Sequence, residues 1–487
     1  MSIVSDKKKI LVLSIFKQRA ENVIFMKKIF TSTRIVPLAI MALLAIGFGC
    51  QKDEDTVVLE SRPSDYSYEI PQSWNNVMVS VERYTAGYRP PIAARSLGYI
   101  NLAAFESVQP GMDDVYNSFD GYYPGLDIPE IETGLEYHWG LVLNATYARA
   151  ASLFYPTAPA AQLFEIFKQE DKINDKYRAQ VPNEVFVRSV EYGRRVADAV
   201  YKWSATDAVS HEAYLRNNDP SYVPPTGYGK WQPTYPDFAR PLLPNWGKSR
   251  TFAANQTDVC PEPLAISSSP ASEVFKQAEA VQRIVGQIKA GNRYEDRWIA
   301  DFWSDDCPIL TFTPPSHWIA IASQVIETTK ARLPLALETY ARVGLAVNDA
   351  GVRAWAEKYR YNVERPIDYI RREMGDANWN TLMCPDGSGE YFTPPFPAYP
   401  SGHATFGAAA AEVLTELYGN FPFTDRCHEG RTEFVGTPRK FTNFYEAAEE
   451  NAYSRVPIGV HFEMDATAGL DLGYAIGKKV NKLPWRK

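Results

Sequence analysis

The feature that most constrains the fold is a three-and-four spacing of apolar residues that recurs along most of the chain. Over 93–108, Leu97, Ile100, Ala104 and Phe105 fall on one stripe, and Pro90-Pro91 stands where a helix can open. Similar spacing runs through 135–154, 183–204, 272–290, 317–326 and 333–358, while strand-like alternation is scarce. The pattern predicts an all-α protein with a helical bundle core. Residues 217–262 depart from it: Pro, Tyr, Trp, Gly and Asn dominate with little periodicity, as in a long irregular segment laid over a helical body. The organisation read from this is a leader over 1–50, a tether over 51–73, an N-terminal helical region over 74–290 and a C-terminal one over 291–487.

Composition matters here for what it excludes. With 45% hydrophobic and 22% charged residues in 487 the chain is globular, and its net charge is −7 with no long basic run. Nucleic acid is therefore excluded as a partner, because duplex binding rests on clustered cations. Basic residues that do gather point to a local site.

The N-terminus reads as an address. Lys27 and Lys28 precede an apolar stretch over 35–48 that ends at Cys50, too short to span a bilayer comfortably. A cysteine after such a run resembles the lipobox of bacterial lipoproteins, which makes Cys50 the candidate lipidation site. Met26 before the lysines looks like a natural start, so 1–25 reads as a mis-called extension. The acidic run 51–55 resembles the tag of surface lipoproteins in Gram-negative bacteria. The expectation is an outer-membrane or cell-surface protein, held to the membrane by an N-terminal lipid anchor. Cys260, Cys307, Cys384 and Cys427 are then expected to form two disulfides, with three pairings open.

Three segments concentrate chemistry. Lys358 and Arg365 are seven residues apart, close to two turns, so on a helix both project from one face, with Pro366 placing the guanidinium near its end. Pro400-Ser401-Gly402-His403 leads into an Ala-rich helix. Ser401 is its N-cap, Gly402 leaves backbone amides uncovered, and His403 suits proton transfer. Arg455 and His461 lie on either side of Pro457, which is placed to start a helix, and Asp465 follows His461 by four residues. That spacing lets the carboxylate hold one imidazole nitrogen and leave the other reactive. Each segment alone has a plain structural account: a solvated basic face, a capped helix, a buried His–Asp pair. Together they form the equipment for holding a tetrahedral oxyanion. His138, His211 and His428 have no partner at a telling spacing and read as structural or surface residues. His317, after Pro314-Pro315-Ser316, reads as part of a helix cap.

These residues resemble the vanadium-dependent haloperoxidase and PAP2 acid phosphatase superfamily, whose signature is K-x6-R-P, then P-S-G-H, then S-R-x5-H-x3-D. Lys358 to Pro366, Pro400 to His403 and Ser454 to Asp465 carry it complete and in order. The lead-in over 394–399, with Pro90-Pro91, Ala94-Arg95 and Phe302-Trp303, resembles the haloperoxidase branch. The resemblance implies an enzyme that oxidises iodide, bromide or chloride with hydrogen peroxide at a histidine-bound vanadate. The alternative it implies is a phosphatase acting on a phosphate ester through a phospho-histidine. His461 would be the axial vanadate ligand or the nucleophile, and His403 the general acid/base. Lys358, Arg365 and Arg455 would hold the equatorial oxygens, with Ser401 and the Gly402 amide completing the cage. Lys358 would also polarise bound peroxide. Trp355 and Phe396 would line the halide side, and Phe396, standing where many bromoperoxidases carry His, leans towards a chloro- or iodoperoxidase-like pocket. Asp305 or Asp306 would pair with Arg455. A ligand-binding surface lipoprotein without catalysis would not need both histidines.

Overall fold

Twenty-nine residues from Leu333 to Tyr361 form the longest helix among the described residues, and almost every one of them is buried through Lys358. A helix of that length runs about 43 Å and needs partners on all sides. A computed structural model of the chain describes residues 62–384 and 391–487, which fall within one unit, Glu60–Lys487. In chain order its helices are α1 (Glu69–Tyr84), α2 (Pro90–Val108), α3 (Trp139–Phe154), α4 (Ala160–Arg178), α5 (Asn183–Ser204), α6 (Glu273–Lys289), α7 (Tyr294–Phe302) and α8 (Pro314–Thr329). They continue with α9 (Leu333–Tyr361), α10 (Pro366–Glu373), α11 (Gly402–Tyr418), α12 (Phe444–Tyr453) and α13 (Glu463–Asn481). Two three-residue strands, β1 (Phe423–Asp425) and β2 (Arg439–Phe441), pair antiparallel with Thr424 opposite Lys440. The all-α expectation holds.

Helix α9 packs on α2, α8, α11 and α13, so helices from both sides of residue 290 share one core. Helix α2 opens with Pro90 and Pro91 and is buried along its whole length. It comes closest to α9 at Gly98 and Gly344, where a Cβ on Gly98 would stand 3.0 Å from the Gly344 carbonyl. Residues 217–262 are irregular apart from a short 3-10 turn, and they cover α9 as the composition suggested. Trp231 and Trp246 of this segment are themselves buried. The Asp349 carboxylate pins it by accepting the backbone N–H groups of Phe252 (2.8 Å), Ala253 (2.7 Å) and Ala254 (2.8 Å).

Several boundaries differ from those read in the sequence. Helical structure is already present inside the expected tether, with a 3-10 turn at Pro63–Asp65 and helix α1 running from Glu69. Helix α3 starts at Trp139, not at 135, because His138 takes an extended backbone and its ring caps Leu141 N. Helix α4 falls where the apolar spacing gives no clear signal. Only Ile166, Ile173 and Tyr177 of it are buried, while Phe164 and Phe167 are exposed, so its apolar stripe is thin. No helix among the described residues is long and apolar enough to cross a membrane. The leader, Cys50 and residues 51–61 of the tether lie outside the described residues.

Candidate oxyanion site

The site is built where α11 meets α13. Glycines at Gly469, Gly473 and Gly477 put a flat stripe on α13, and a Cβ there would stand 2.6 Å from Ser401 O, 2.4 Å from Thr405 O and 2.7 Å from Ala409 O respectively. Only hydrogen at these positions permits so close a crossing. The stripe therefore brings the start of α11, with Ser401, Gly402 and His403, against the start of α13, with His461 and Asp465. Ser401 caps α11 as expected, its hydroxyl accepting Ala404 N, and its own N–H donates to Asp465 O at 2.8 Å.

Lys358 and Arg365 meet, but not along one helix. Helix α9 ends at Tyr361 because Asn362 takes a left-handed conformation (φ 52°), and Arg365 sits in extended backbone ahead of Pro366 as the N-cap of α10. The chain turns at this point, yet both cations arrive fully buried. Lys358 Nζ donates to the carbonyls of Pro397 (2.9 Å), Ala398 (2.8 Å) and Pro400. Arg365 donates from Nε to Phe396 O and from Nη1 to Val460 O, both at 2.9 Å, and Nη1 lies 3.0 Å from His461 Nε2. Pro457 likewise starts no helix: residues 454–460 form consecutive turns, and α13 begins at Glu463.

His461 stands just ahead of α13, with its Nδ1 2.9 Å from Asp465 Oδ2, which also accepts Phe462 N at 3.0 Å. A carboxylate at Nδ1 holds the proton there and leaves the Nε2 lone pair turned to the Arg365 guanidinium. Burial, and then Arg365, Lys358 and Arg455, hold the His461 imidazole well below its usual range. Burial followed by Arg455 does the same to His403. Both rings are neutral when no anion offsets these cations. Burial also lowers the Lys358 ammonium and raises the Asp465 carboxyl.

At this site three buried side-chain nitrogens find no partner among the described residues: Arg365 Nη2, Arg455 Nε and His403 Nε2. Leaving one such group unmade costs about 1–3 kcal/mol, more when it is charged. An oxyanion would satisfy all three and supply the missing negative charge. His403, His461, Arg455 and Gly402 line a narrow cavity walled by Trp355, Phe396, Phe406, Pro90, Pro314 and Pro394. Trp355 and Phe396 pack with ring centroids 4.8 Å apart, and Lys358 and Arg365 lie over the Phe396 face at 5.1 Å and 5.0 Å. A more open pocket bounded by Gln72, Gln324, Glu327 and Arg426 lies elsewhere and holds none of these residues.

Some sequence expectations give way. Arg455 pairs with neither Asp305 nor Asp306: its Nη1 donates to Trp303 O at 3.0 Å, Asp306 pairs with Arg89 at 3.0 Å, and Asp305 is taken by His317. His317 caps nothing. Thr313 is the N-cap of α8, and the His317 ring is buried between two carboxylates. Of the two readings of His428, structural or surface, its full burial leaves the structural one. One disulfide forms instead of two: Cys307 joins Cys384, while Cys260, buried within the irregular cover, and Cys427, beside β1, are both free.

The chain has recognisable relatives. A family model described as the VCPO second helical-bundle domain matches residues 338–484, the span that carries every cage residue. The vanadium chloroperoxidase of Curvularia inaequalis is 26% identical over 511 aligned residues, covering 84% of this chain and 81% of its own. Among solved structures, the first bacterial vanadium-dependent iodoperoxidase superposes with a TM-score of 0.74 at 29% identity, covering 87% of this chain and 98% of that one. A holo-type bacterial vanadium-dependent chloroperoxidase gives 0.61 at 14% identity over 82% and 92%, a likeness of fold.

Proposed function

We propose that this chain, a member of the haloperoxidase-like branch of the vanadium-dependent haloperoxidase and PAP2 acid phosphatase superfamily, is an exported enzyme that oxidises halide with hydrogen peroxide at a vanadate held by His461. The observation that carries the reading is the set of unpartnered buried nitrogens, Arg365 Nη2, Arg455 Nε and His403 Nε2, beside His461 Nε2, which Arg365 Nη1 faces at 3.0 Å. Vanadate, when bound, supplies a Lewis acid that activates peroxide.

The protein's own residues do the rest. Arg365 and Arg455 hold the oxyanion by charge-assisted hydrogen bonds, with Ser401 and the Gly402 amide at the start of α11. Lys358, steadied by three carbonyls, places its charge beside the cage. His403, kept neutral by burial, accepts the peroxide proton and returns it to the leaving oxygen. Trp355 and Phe396 form an apolar wall that desolvates a halide on its approach. The haloperoxidase relatives favour this reading over the phosphatase alternative. Iodide, the most readily oxidised halide, is the substrate to assay first.

Export is supported by the Cys307–Cys384 disulfide, which persists in oxidising compartments. The lipid anchor at Cys50 belongs to the same reading. The deciding experiment loads purified protein with vanadate and measures peroxide-dependent oxidation of iodide, bromide and chloride, with aryl phosphate hydrolysis by the vanadate-free form in parallel. Halide oxidation lost in His461→Ala is the expected result. Phosphatase activity without halide oxidation would overturn the proposal.

A further inference from the structure

Trp303 joins the oxyanion site to a second buried polar cluster. Its carbonyl accepts Arg455 Nη1, and its ring stacks on His317 with centroids 4.5 Å apart. His317 is fully buried between Asp305 Oδ2, 2.9 Å from Nδ1, and Asp425 Oδ2, 2.8 Å from Nε2. Asp425 also accepts Gln324 Nε2 at 3.1 Å and Cys427 N at 2.9 Å.

His428 completes the cluster and is the residue that needs explaining. It is wholly buried in a box of Phe302, Phe312 and Phe434, where a phenylalanine would pack as well. Neither of its ring nitrogens has a hydrogen-bond partner among the described residues, nor has Asp305 Oδ1. His428 Nε2 and Asp305 Oδ1 face each other across 3.9 Å. That gap is too long for a hydrogen bond and within the span of two metal–ligand bonds, each about 2.0–2.2 Å for zinc. One ligand atom from each of Asp305, His317 and His428 lies within 4.8 Å of the others.

We propose that Asp305, His317 and His428 bind one divalent cation of the zinc class, through the Asp305 carboxylate, His317 Nδ1 and His428 Nε2. Asp425 is the orienting carboxylate: it keeps the His317 Nε2 proton and turns Nδ1 to the ion. Charge supports the assignment. Asp306 is matched by Arg89, which leaves Asp305 and Asp425 as two negative charges for one divalent ion and a neutral imidazole. The ion replaces the proton between His317 Nδ1 and Asp305, and that proton leaves to solvent. The ion would tie together the turn after α7, the start of α8 and the turn after β1, and so fix the Trp303 carbonyl on which Arg455 leans. This consequence rests on the oxyanion reading; the metal site does not.

The test uses the purified full chain stripped with a chelator, then titrated with Zn²⁺ by calorimetry and with Co²⁺ by visible absorption. One equivalent should bind with proton release, and a ligand-field band should appear with Co²⁺. His461→Ala should bind the same equivalent, which separates this site from the oxyanion cage. His428→Phe should lose binding at least tenfold while melting, in chelator, at or above the wild-type temperature. If that variant does not fold, His428→Gln gives the same reading. Absence of stoichiometric binding, or wild-type binding in the folded His428 variant, overturns the proposal.

Discussion

His461 Nδ1 lies 2.9 Å from Asp465 Oδ2, four residues on and one turn into α13. The contact fixes which nitrogen is protonated and aims the other at the cage. Asp465→Asn keeps the size and removes the charge, and its amide can present a donor to Nδ1. Groups that orient a ligating histidine are worth about 10–100-fold in affinity or activity. Vanadate affinity and iodide oxidation should both fall by roughly that factor, with the thermal midpoint little changed. Wild-type affinity in this variant would remove Asp465 from the assigned role.

Arg365 brings one unpartnered nitrogen to the cage and anchors itself with the other two. Arg365→Lys keeps a charge but loses the planar fork that reaches Phe396 O, Val460 O and the oxyanion together. Hydrogen bonds to charged groups are worth about 1.5–3 kcal/mol. Dissociation constants for vanadate and orthophosphate should therefore rise by about 10- to 100-fold in calorimetry. Equal weakening of both ligands is expected, because the residue holds oxygens and not the central atom.

The cage was legible in the sequence because anion chemistry restricts residue types and spacings. Lys358, Arg365, Ser401, His403, Arg455 and His461 each had to be what they are, and Asp465 had to fall within one turn of His461. The path of the backbone between them was less legible. Asn362 takes a left-handed conformation and ends α9 with Lys358 and Arg360 in its last turn, a local stop signal that the seven-residue spacing of Lys358 and Arg365 does not weigh. Gly469, Gly473 and Gly477 recur every fourth residue, a signal of close helix crossing that periodicity of apolar residues does not weigh. His317 and His428 stayed hidden for another reason. Their partners Asp305 and Asp425 are brought to them only by tertiary folding, and no motif spacing records it.

The neutral histidines give the site a pH signature. Burial first, and then the guanidiniums, depress His403 and His461 in the free protein, and a bound oxyanion offsets those guanidiniums. A group whose pKa rises on binding favours the complex in its protonated form. Affinity should therefore be greatest below the free-protein values and decline as pH rises through the values of the complex. Sulfate tests this cleanly, since it does not titrate between pH 5 and 8. Its dissociation constant should increase steadily across that window in wild type, and the slope should shrink in His403→Gln.

Glu82 offers a separate test of buried charge. Burial raises its carboxyl from 4.5 to about 8, while Ser316 Oγ (2.8 Å) and Thr313 N (3.4 Å) donate to it. With the folded value above the unfolded one, its stabilising contribution is complete below 4.5 and is lost as pH rises through about 8. Glu82→Gln keeps the acceptor oxygen and removes the ionisation. The variant should match wild type near pH 5 and exceed it by about 1–3 kcal/mol at pH 9 in urea unfolding. A gap independent of pH would mean that Glu82 is charged in the folded protein.

The glycine stripe that assembles the site can be tested against a neutral glycine elsewhere. A Cβ on Gly473 would stand 2.4 Å from Thr405 O and 2.6 Å from Ala408 Cβ, both on the rigid body of α11. Neither can yield without moving that helix, so Gly473→Ala should cost about 1–3 kcal/mol of stability, the usual range for overpacking. At Gly286, inside α6, an added methyl group would meet nothing within 4 Å. There the same substitution should stabilise by about 0.5–1 kcal/mol, through backbone entropy alone. The two variants must also differ in function. Displacing α11 moves Ser401 and His403 away from His461, so Gly473→Ala should weaken sulfate binding even under conditions where it is fully folded, whereas Gly286→Ala should leave it untouched. Sulfate affinity equal to wild type in folded Gly473→Ala would show that the α11–α13 crossing sets stability but not the spacing of the cage.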